Sequence, residues 1–454
     1  MTALPEGFLV AWYGDDFTGA SAVMEVLSFA GLPAMLFLDT PTEAQLARYP
    51  DLQAIGVAST ARAQSNDWMD DNLPSAFQSL LALQPQIFHY KICSTLDSSP
   101  TIGSIGRAIE IGADLIKPSA VPVLVAAPQM RRYQVFGHLF AGLGDDVYRL
   151  DRHPVMARHP VTPMHESDVA RHIAAQSKRI TASCLSLEEI AISNSPQAAT
   201  VADMISVFTL DCHDAKSEAS AGQLIWEERD TNKFVVGSQG VEFALVRYWV
   251  ETGALPRQMP PVSVGRAHGM VTVSGSVSPT TAEQIAWSCA NGFAGIRFDA
   301  TKACGSAETL QSEIDRIISV SLDAISTGKD PLIFTAQGPD DPAVEHFKTA
   351  VLNSNKSMSE VNENIGRSLG DALGGILEKS GIRRAVISGG DTSGYATQQL
   401  GIFALSALAP TIPGASLFKA HAEGAMDGLE LALKGGQMGS PDYFGWIRDG
   451  GGMR

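Results

Sequence analysis

The sequence predicts an α/β fold: two α/β domains with largely parallel sheets and an interdomain cleft. Three observations carry this expectation. Short apolar runs alternate with segments of helical periodicity along the whole chain. The length, 454 residues, exceeds what one ordinary hydrophobic core serves. An aperiodic stretch rich in Pro and Gly, residues 251–269, separates two such alternations and reads as a linker. The domains are accordingly placed at 1–255 and 256–454.

In the first half the runs at 8–14 (FLVAWYG), 34–39, 54–59, 87–92 and 121–128 read as strands too apolar to be half-exposed. Between the first two, Ala20, Val23, Val26, Leu27 and Ala30 recur at helical spacing, and Gly31 and Pro33 stop the helix. The middle holds VFTLDC at 207–212, then a polar helical stretch, then the run KFVVGSQGVEFALVRYWV at 233–250. After the linker the alternation resumes with 270–276, 294–300, 331–337 and the segment 384–394, and helices near 307–326 and 360–380.

Bulk composition narrows the function. With 45% hydrophobic and 18% charged residues the chain is globular. Its formal net charge of −16 argues against nucleic acid as a partner. Five scattered cysteines without a C-x-x-C pair fit a reducing compartment and supply no zinc framework. A signal peptide and an apolar run of membrane-spanning length are not evident, so a cytoplasmic location away from membranes is expected. Oligomeric state is open, and a homodimer is compatible with it.

Several constellations could carry chemistry. Asp15 and Asp16 lie side by side where the first strand meets a helix, the place where parallel sheets collect ligands. One could cap the helix; a carboxylate here could also take a proton from a hydroxyl. The D-x-D-x-T turn of aspartyl-nucleophile hydrolases does not fit, because Gly14 stands at the nucleophile position. Lys91 ends the fourth strand and is followed by Ser94, Thr95 and Asp97, then by the glycine turn 103–106. Residues 127–160 gather Arg131, Arg132, His138, Arg149, Arg152, His153, Arg158 and His159, a basic density that suits an anion in so acidic a chain. Arg62 is a further candidate just after the third strand. In the second half, Ser274-Gly275-Ser276, Gly389-Gly390-Asp391-Thr392 and Gly435-Gly436 each form a turn that could cradle phosphate. Neither a Walker A loop nor G-x-G-x-x-G is present.

The motifs GDDFTGA, VSGSVSPTTAEQI, SGGDTSG and KGGQMG, in this order and spacing, resemble the four-carbon acid sugar kinase family over nearly the whole chain. The resemblance implies an acid-sugar site in the N-terminal domain and ATP, with Mg2+, in the C-terminal one. It implies a kinase phosphorylating a hydroxyl of a tetronate, a 3-oxo-tetronate or a branched 3-oxo-isoapionate. Asp16 would be the base and Asp15 would orient substrate or touch metal, or the reverse. Arg62, Lys91, Ser94, Asp97, Arg152, His153, Arg158 and His159 would face the sugar acid. Ser274, Gly275, Ser276, Gly389, Gly390, Asp391, Thr392, Gly435 and Gly436 would face ATP; no metal ligand is assigned. Where many members read K-x-D-S-T-L-R-G, this chain has Cys93 for the aspartate and Asp97 for the arginine. A nicotinamide-dependent hydroxy-acid oxidoreductase and a non-catalytic acid-sugar binding protein are the rival readings.

Overall fold

The first apolar run forms β1 (Val10–Gly14), buried at every residue as a strand covered on both faces must be. The computed structural model describes residues 3–192 and 203–454. It divides into two units, Met1–Met259 and Pro260–Arg454.

In the first unit β1 leads through α1 (Phe17–Phe29), β2 (Ala34–Phe37), α2 (Glu43–Leu46), β3 (Ala54–Ala58), α3 (Asn66–Leu81), β4 (Ile87–Lys91) and α4 (Ile105–Ile116) to β5 (Val121–Leu124). A meander follows: β6 (Arg132–Val135), β7 (His138–Leu143) and β8 (Asp146–Arg149). The main alternation then resumes with α5 (Val169–Ala174), β9 (Ile180–Leu185), α6 (Leu187–Ala191), β10 (Ile205–Leu210), α7 (Ala215–Glu227), α8 (Arg229–Asn232), β11 (Phe234–Gly237) and α9 (Gly240–Glu251). The main sheet runs β2-β3-β1-β4-β11-β5-β10-β9, and its pairings are parallel. Tyr13, Phe77, Phe88 and Phe234 fill its core, with successive ring centroids 5.0–5.8 Å apart. Gly56 lacks a side chain because the Trp12 indole lies across it, and Trp12 Nε1 donates to Ala20 O at 3.1 Å. That bond fastens the start of α1 to β1.

The second unit runs β12 (Val271–Ser274), α10 (Pro279–Ala290), β13 (Phe293–Arg297), α11 (Ala307–Ser326), β14 (Asp330–Phe334), α12 (Pro342–Leu352), α13 (Met358–Ser380), β15 (Arg384–Ser388), α14 (Gly390–Gln399), β16 (Ile402–Ala409), β17 (Leu417–Ala422), β18 (Glu430–Lys434) and α15 (Tyr443–Arg448). Its strand order is β13-β14-β12-β15-β18-β17-β16, with β17 antiparallel to both neighbours. Met270, Ile285, Phe334, Val386, Tyr443 and Ile447 belong to one buried cluster.

The expected strands and helices in both halves are present, but several elements were not anticipated. The meander β6–β8 occupies the segment read only as a basic cluster, because its strands are short and rich in Arg and His. Its first turn holds Phe136 and Gly137 at φ 53° and 76°, the left-handed pair of a tight hairpin. Buried Asp211 fixes that turn by accepting from Phe136 N at 2.6 Å and Gly137 N at 2.9 Å. β9 alternates exposed and half-buried residues, and the antiparallel strands β16 and β17 carry small and polar residues that mask their period. The aperiodic stretch is shorter than 251–269, since α9 continues to Glu251 and the turn after it packs Leu255 into the core. Among the described residues no helix is long and apolar enough to cross a membrane.

Candidate functional site

Both units reverse direction about their first strand. In the first, β1 is flanked by β3 on one side and β4 on the other; in the second, β12 is flanked by β14 and β15. Such reversals open a crevice at the carboxyl ends of the strands, where ligands of doubly wound sheets bind. Asp15, Asp16, Arg62 and Lys91 gather at the first of these places and the three glycine turns at the second.

At the first, Asp15 and Asp16 leave β1, Arg62 stands in a 3-10 turn after β3, and Lys91 ends β4, level with Gly14. Arg62 joins the carboxylates: Nε and Nη2 reach Asp15 at 3.1 and 2.7 Å, and Nη1 and Nη2 reach Asp16 at 2.7 and 2.8 Å. The adjacent like charges are thus held by a cation 46 residues away that short-range inspection does not connect to them. Asp16 also caps α1, accepting from Gly19 N at 2.8 Å. Capping and site geometry are therefore one arrangement, not alternatives. The Asp16 side chain keeps 27% exposure, against 6% for Asp15. Burial raises the Asp15 carboxyl above its ordinary value, with Arg62 opposing and Asp16 reinforcing the rise. Burial alone would lower the Arg62 guanidinium, yet Asp15, Cys93 and Asp16 together hold it well above its ordinary value.

Lys91 is buried, and its Nζ donates to Ile92 O at 2.6 Å. A Cβ on Gly19 would overlap Lys91 Nζ and stand 2.5 Å from Asp16 Oδ1. Gly19 therefore lets ammonium and carboxylate share the start of α1. Ser94 is half-buried in the following turn. Asp97 accepts from Thr162 Oγ1, and His159 Nδ1 lies 3.8 Å from Asp97. Since Thr162 N donates to His159 Nδ1 at 3.1 Å, that ring carries its proton on Nε2. Asp97 and His159 are thus joined through Thr162, a residue the sequence reading did not select. His153 is buried and its Nδ1 accepts from Val155 N and Met156 N, both at 3.2 Å, which makes it the support of a turn. Arg152 and Arg158 are exposed on short 3-10 turns. The glycine turn 103–106 is structural: a Cβ on Gly103 would overlap Arg62 O, and one on Gly106 would lie 2.7 Å from Gln176 Cβ.

In the second unit the three glycine turns end β12, β15 and β18, which are adjacent and parallel. Gly275 N donates to Ser388 O at 3.1 Å and Gly389 N to Lys434 O at 2.9 Å, tying the turns together. Each holds a glycine at which a side chain would be blocked or strained. Cβ atoms on Gly275 and Gly436 would overlap Thr392 Oγ1 and Ser276 Oγ, and Gly389 has φ 126°. Ser276, Ser278 and Thr281 form a hydroxyl chain, with Thr281 Oγ1 3.0 Å from both Ser276 Oγ and Gly436 O. The start of α10 is already capped by Ser278, whereas Gly389 at the start of α14 offers no side-chain cap. The amides at the start of α14, without a side-chain cap, could donate to an anion there. Ser274 is buried beneath this turn. The side chain of Asp391 lies outside the described residues. Lys434, which the sequence reading missed, is 2% exposed, with Nζ 3.0 Å from Gly435 O and 3.4 Å from Thr281 Oγ1. Burial lowers it to about 8. Its signal was a lysine directly before a glycine pair at a strand end.

The reversal sites, one lined by carboxylates and cations and one by hydroxyls, glycine amides and a lysine, define a two-domain α/β kinase of small acids. Residues 10–245 match the sugar-binding N-terminal domain family and residues 271–444 the nucleotide-binding C-terminal domain family. The chain is 41% identical over 452 residues to a 3-oxo-isoapionate kinase of Paraburkholderia graminis, covering 99% of this chain and 96% of that protein. It is 27% identical over 443 residues to a 3-oxo-tetronate kinase of Cupriavidus necator, covering 96% and 95%. A crystal structure of a Haemophilus influenzae protein shares the fold, with a TM-score of 0.74 at 22% identity over 96% of this chain and 99% of that one. The chain belongs to the acid-sugar kinase family built from these two domains. It is a kinase, and the oxidoreductase and binding-protein readings fall away.

Proposed function

We propose that this enzyme transfers the terminal phosphoryl group of ATP to a hydroxyl of a branched, oxidised sugar acid of the 3-oxo-isoapionate type. The observation that carries the chemistry is Asp16, a partly exposed carboxylate fixed by Arg62 and by Gly19 N at the reversal of the sugar-domain sheet. The 41% identity over nearly the full chain supports the substrate type.

Asp16 accepts the proton of the attacking hydroxyl. Arg62 holds Asp16 in place, and Asp15 holds Arg62. Lys91, beside Asp16 at Gly19, balances the negative charge gathering there. In the nucleotide domain the α14 amides and the Ser276 hydroxyl bind phosphate oxygens, with Lys434 providing the positive charge beneath them. Magnesium bound with the nucleotide would neutralise charge on the phosphates. Among the described residues no group of three or more His, Cys, Asp or Glu side chains could hold a metal ion.

The test is ADP release from Mg-ATP with a panel containing 3-oxo-isoapionate, 3-oxo-tetronates and tetronates. ATP-dependent release with 3-oxo-isoapionate supports the proposal. Absence of release with every acid, together with no rise in melting temperature on adding ATP, would overturn it.

A further inference from the structure

A sugar acid brings a carboxylate, and the residue that receives it is not obvious. Arg62 is fully engaged by Asp15 and Asp16. Arg107, Arg149, Arg171, Arg179 and Arg247 are each paired with a carboxylate within the unit. Arg132, on β6, is different. It is half-buried, and among the described residues no Asp or Glu lies within salt-bridge distance of it. Its Nη1 touches only the carbonyls of Met130, Arg131 and Gly142 at 3.1–3.3 Å, and its buried Nε has no partner. Burial weakens its hold on a proton, an effect that the neighbouring Cys93 opposes. Arg132 N donates to Ala127 O at 3.2 Å, three residues past the end of β5. Leu124 of β5 is level with Gly237, which is level with Lys91 two residues before Cys93. Arg132 thus stands at the same carboxyl end of the sheet as Lys91 and Cys93. The hairpin carrying Arg132 is rigid, because Asp211 clamps its turn and Gln134 exchanges backbone hydrogen bonds with Cys212, both at 2.9 Å.

Resting on the kinase reading, we propose that Arg132 is the carboxylate-binding residue of the sugar-acid site, and that Cys93 marks the space between it and the Arg62–Asp16 pair. A half-buried guanidinium that no carboxylate engages is a group a planar carboxylate pairs with well. Cys93 adds no carboxylate beside Arg132, so the guanidinium has no carboxylate partner until the substrate arrives.

Two experiments on Arg132→Gln and Arg132→Lys test this. In the first, wild-type enzyme is compared on 3-oxo-isoapionate and its carboxamide. Wild type should favour the acid by about 100-fold in kcat/KM. Arg132→Gln should lose that preference mainly through KM for the acid, with KM for ATP and melting temperature near wild type, and Arg132→Lys should fall between. The second needs no turnover: alkylation of Cys93, read by peptide mapping, with iodoacetate against iodoacetamide. The rate ratio should favour the anionic reagent more in wild type than in Arg132→Gln. An unchanged acid preference, or an unchanged alkylation ratio, overturns the assignment. If no acid is phosphorylated but the alkylation ratio falls, the kinase reading fails while the anion-binding role of Arg132 stands.

Discussion

Replacing Lys434 by methionine keeps a long apolar stem and removes one buried charge. The free protein holds Lys434 at about 8 instead of the ordinary 10.5, because the side chain is desolvated. That displacement corresponds to about 3 kcal/mol against the charged form. The folded value lies below the unfolded one, so the unfolded chain binds more protons between about pH 8 and 10.5. Unliganded protein therefore gains stability as pH rises through that window and bears the full cost below it. Bound polyphosphate would offset the desolvation and restore the proton. At about pH 8.5 Lys434 is roughly one-quarter charged when free and nearly fully charged when bound, so ATP binding should take up about 0.7 protons. Calorimetric titration of ATP in two buffers of different ionisation enthalpy measures this number. Lys434→Met should reduce the uptake to near zero, weaken ATP binding, and leave the unliganded protein at least as stable near pH 7. Wild-type binding without proton uptake, or uptake that survives in Lys434→Met, would refute the placement of Lys434 under the phosphates.

Three further outcomes follow from the first unit. Asp16→Asn should lower turnover by about 100- to 10,000-fold while changing stability by about 1 kcal/mol or less, because asparagine still caps α1; near-normal turnover would reduce Asp16 to a cap. Gly19→Ala adds about 1 kcal/mol of helix propensity, yet its methyl displaces Lys91 Nζ and Asp16 Oδ1. Activity should fall while thermal stability holds, and an active variant would show that the two groups need not meet there. His172 is held down to about 4 by burial against an ordinary 6.5, in a network with Ser98 and Gln176 at 2.9 Å. Its folded value is depressed, so its neutral form stabilises the fold above 6.5 and that stability is lost as pH falls towards 4, by about 3 kcal/mol in all. Urea unfolding at about pH 7 and 4.5 should show a smaller acid loss in His172→Gln than in wild type.

The alternation of buried strands and helices was legible because fully apolar runs admit few other readings, and the glycine turns were legible because each interrupts a strand-to-helix step. What stayed hidden depends on long-range pairing. Asp15 and Asp16 look electrostatically uncompensated until β3 brings Arg62 beside them. Arg132 appears as one of several arginines until the hairpin fold half-buries it away from any carboxylate, whereas Arg149 pairs with Asp151 and Arg152 and Arg158 stay exposed. Lys434 resembles a solvated strand end in sequence, and only the packing of Thr281, Gly435 and Phe444 around it reveals a desolvated ammonium. His153, chosen as a ligand from its basic surroundings, spends its Nδ1 on two backbone amides.

The most direct measurement of the central claim is the product formed from 3-oxo-isoapionate and Mg-ATP, followed by phosphorus NMR beside parallel reactions with 3-oxo-tetronates. The account predicts a phosphate monoester of the branched acid, formed with higher kcat/KM than from the unbranched acids and lost in Asp16→Asn. Hydrolysis of ATP to inorganic phosphate without a sugar phosphate, or equal turnover by Asp16→Asn, would contradict it.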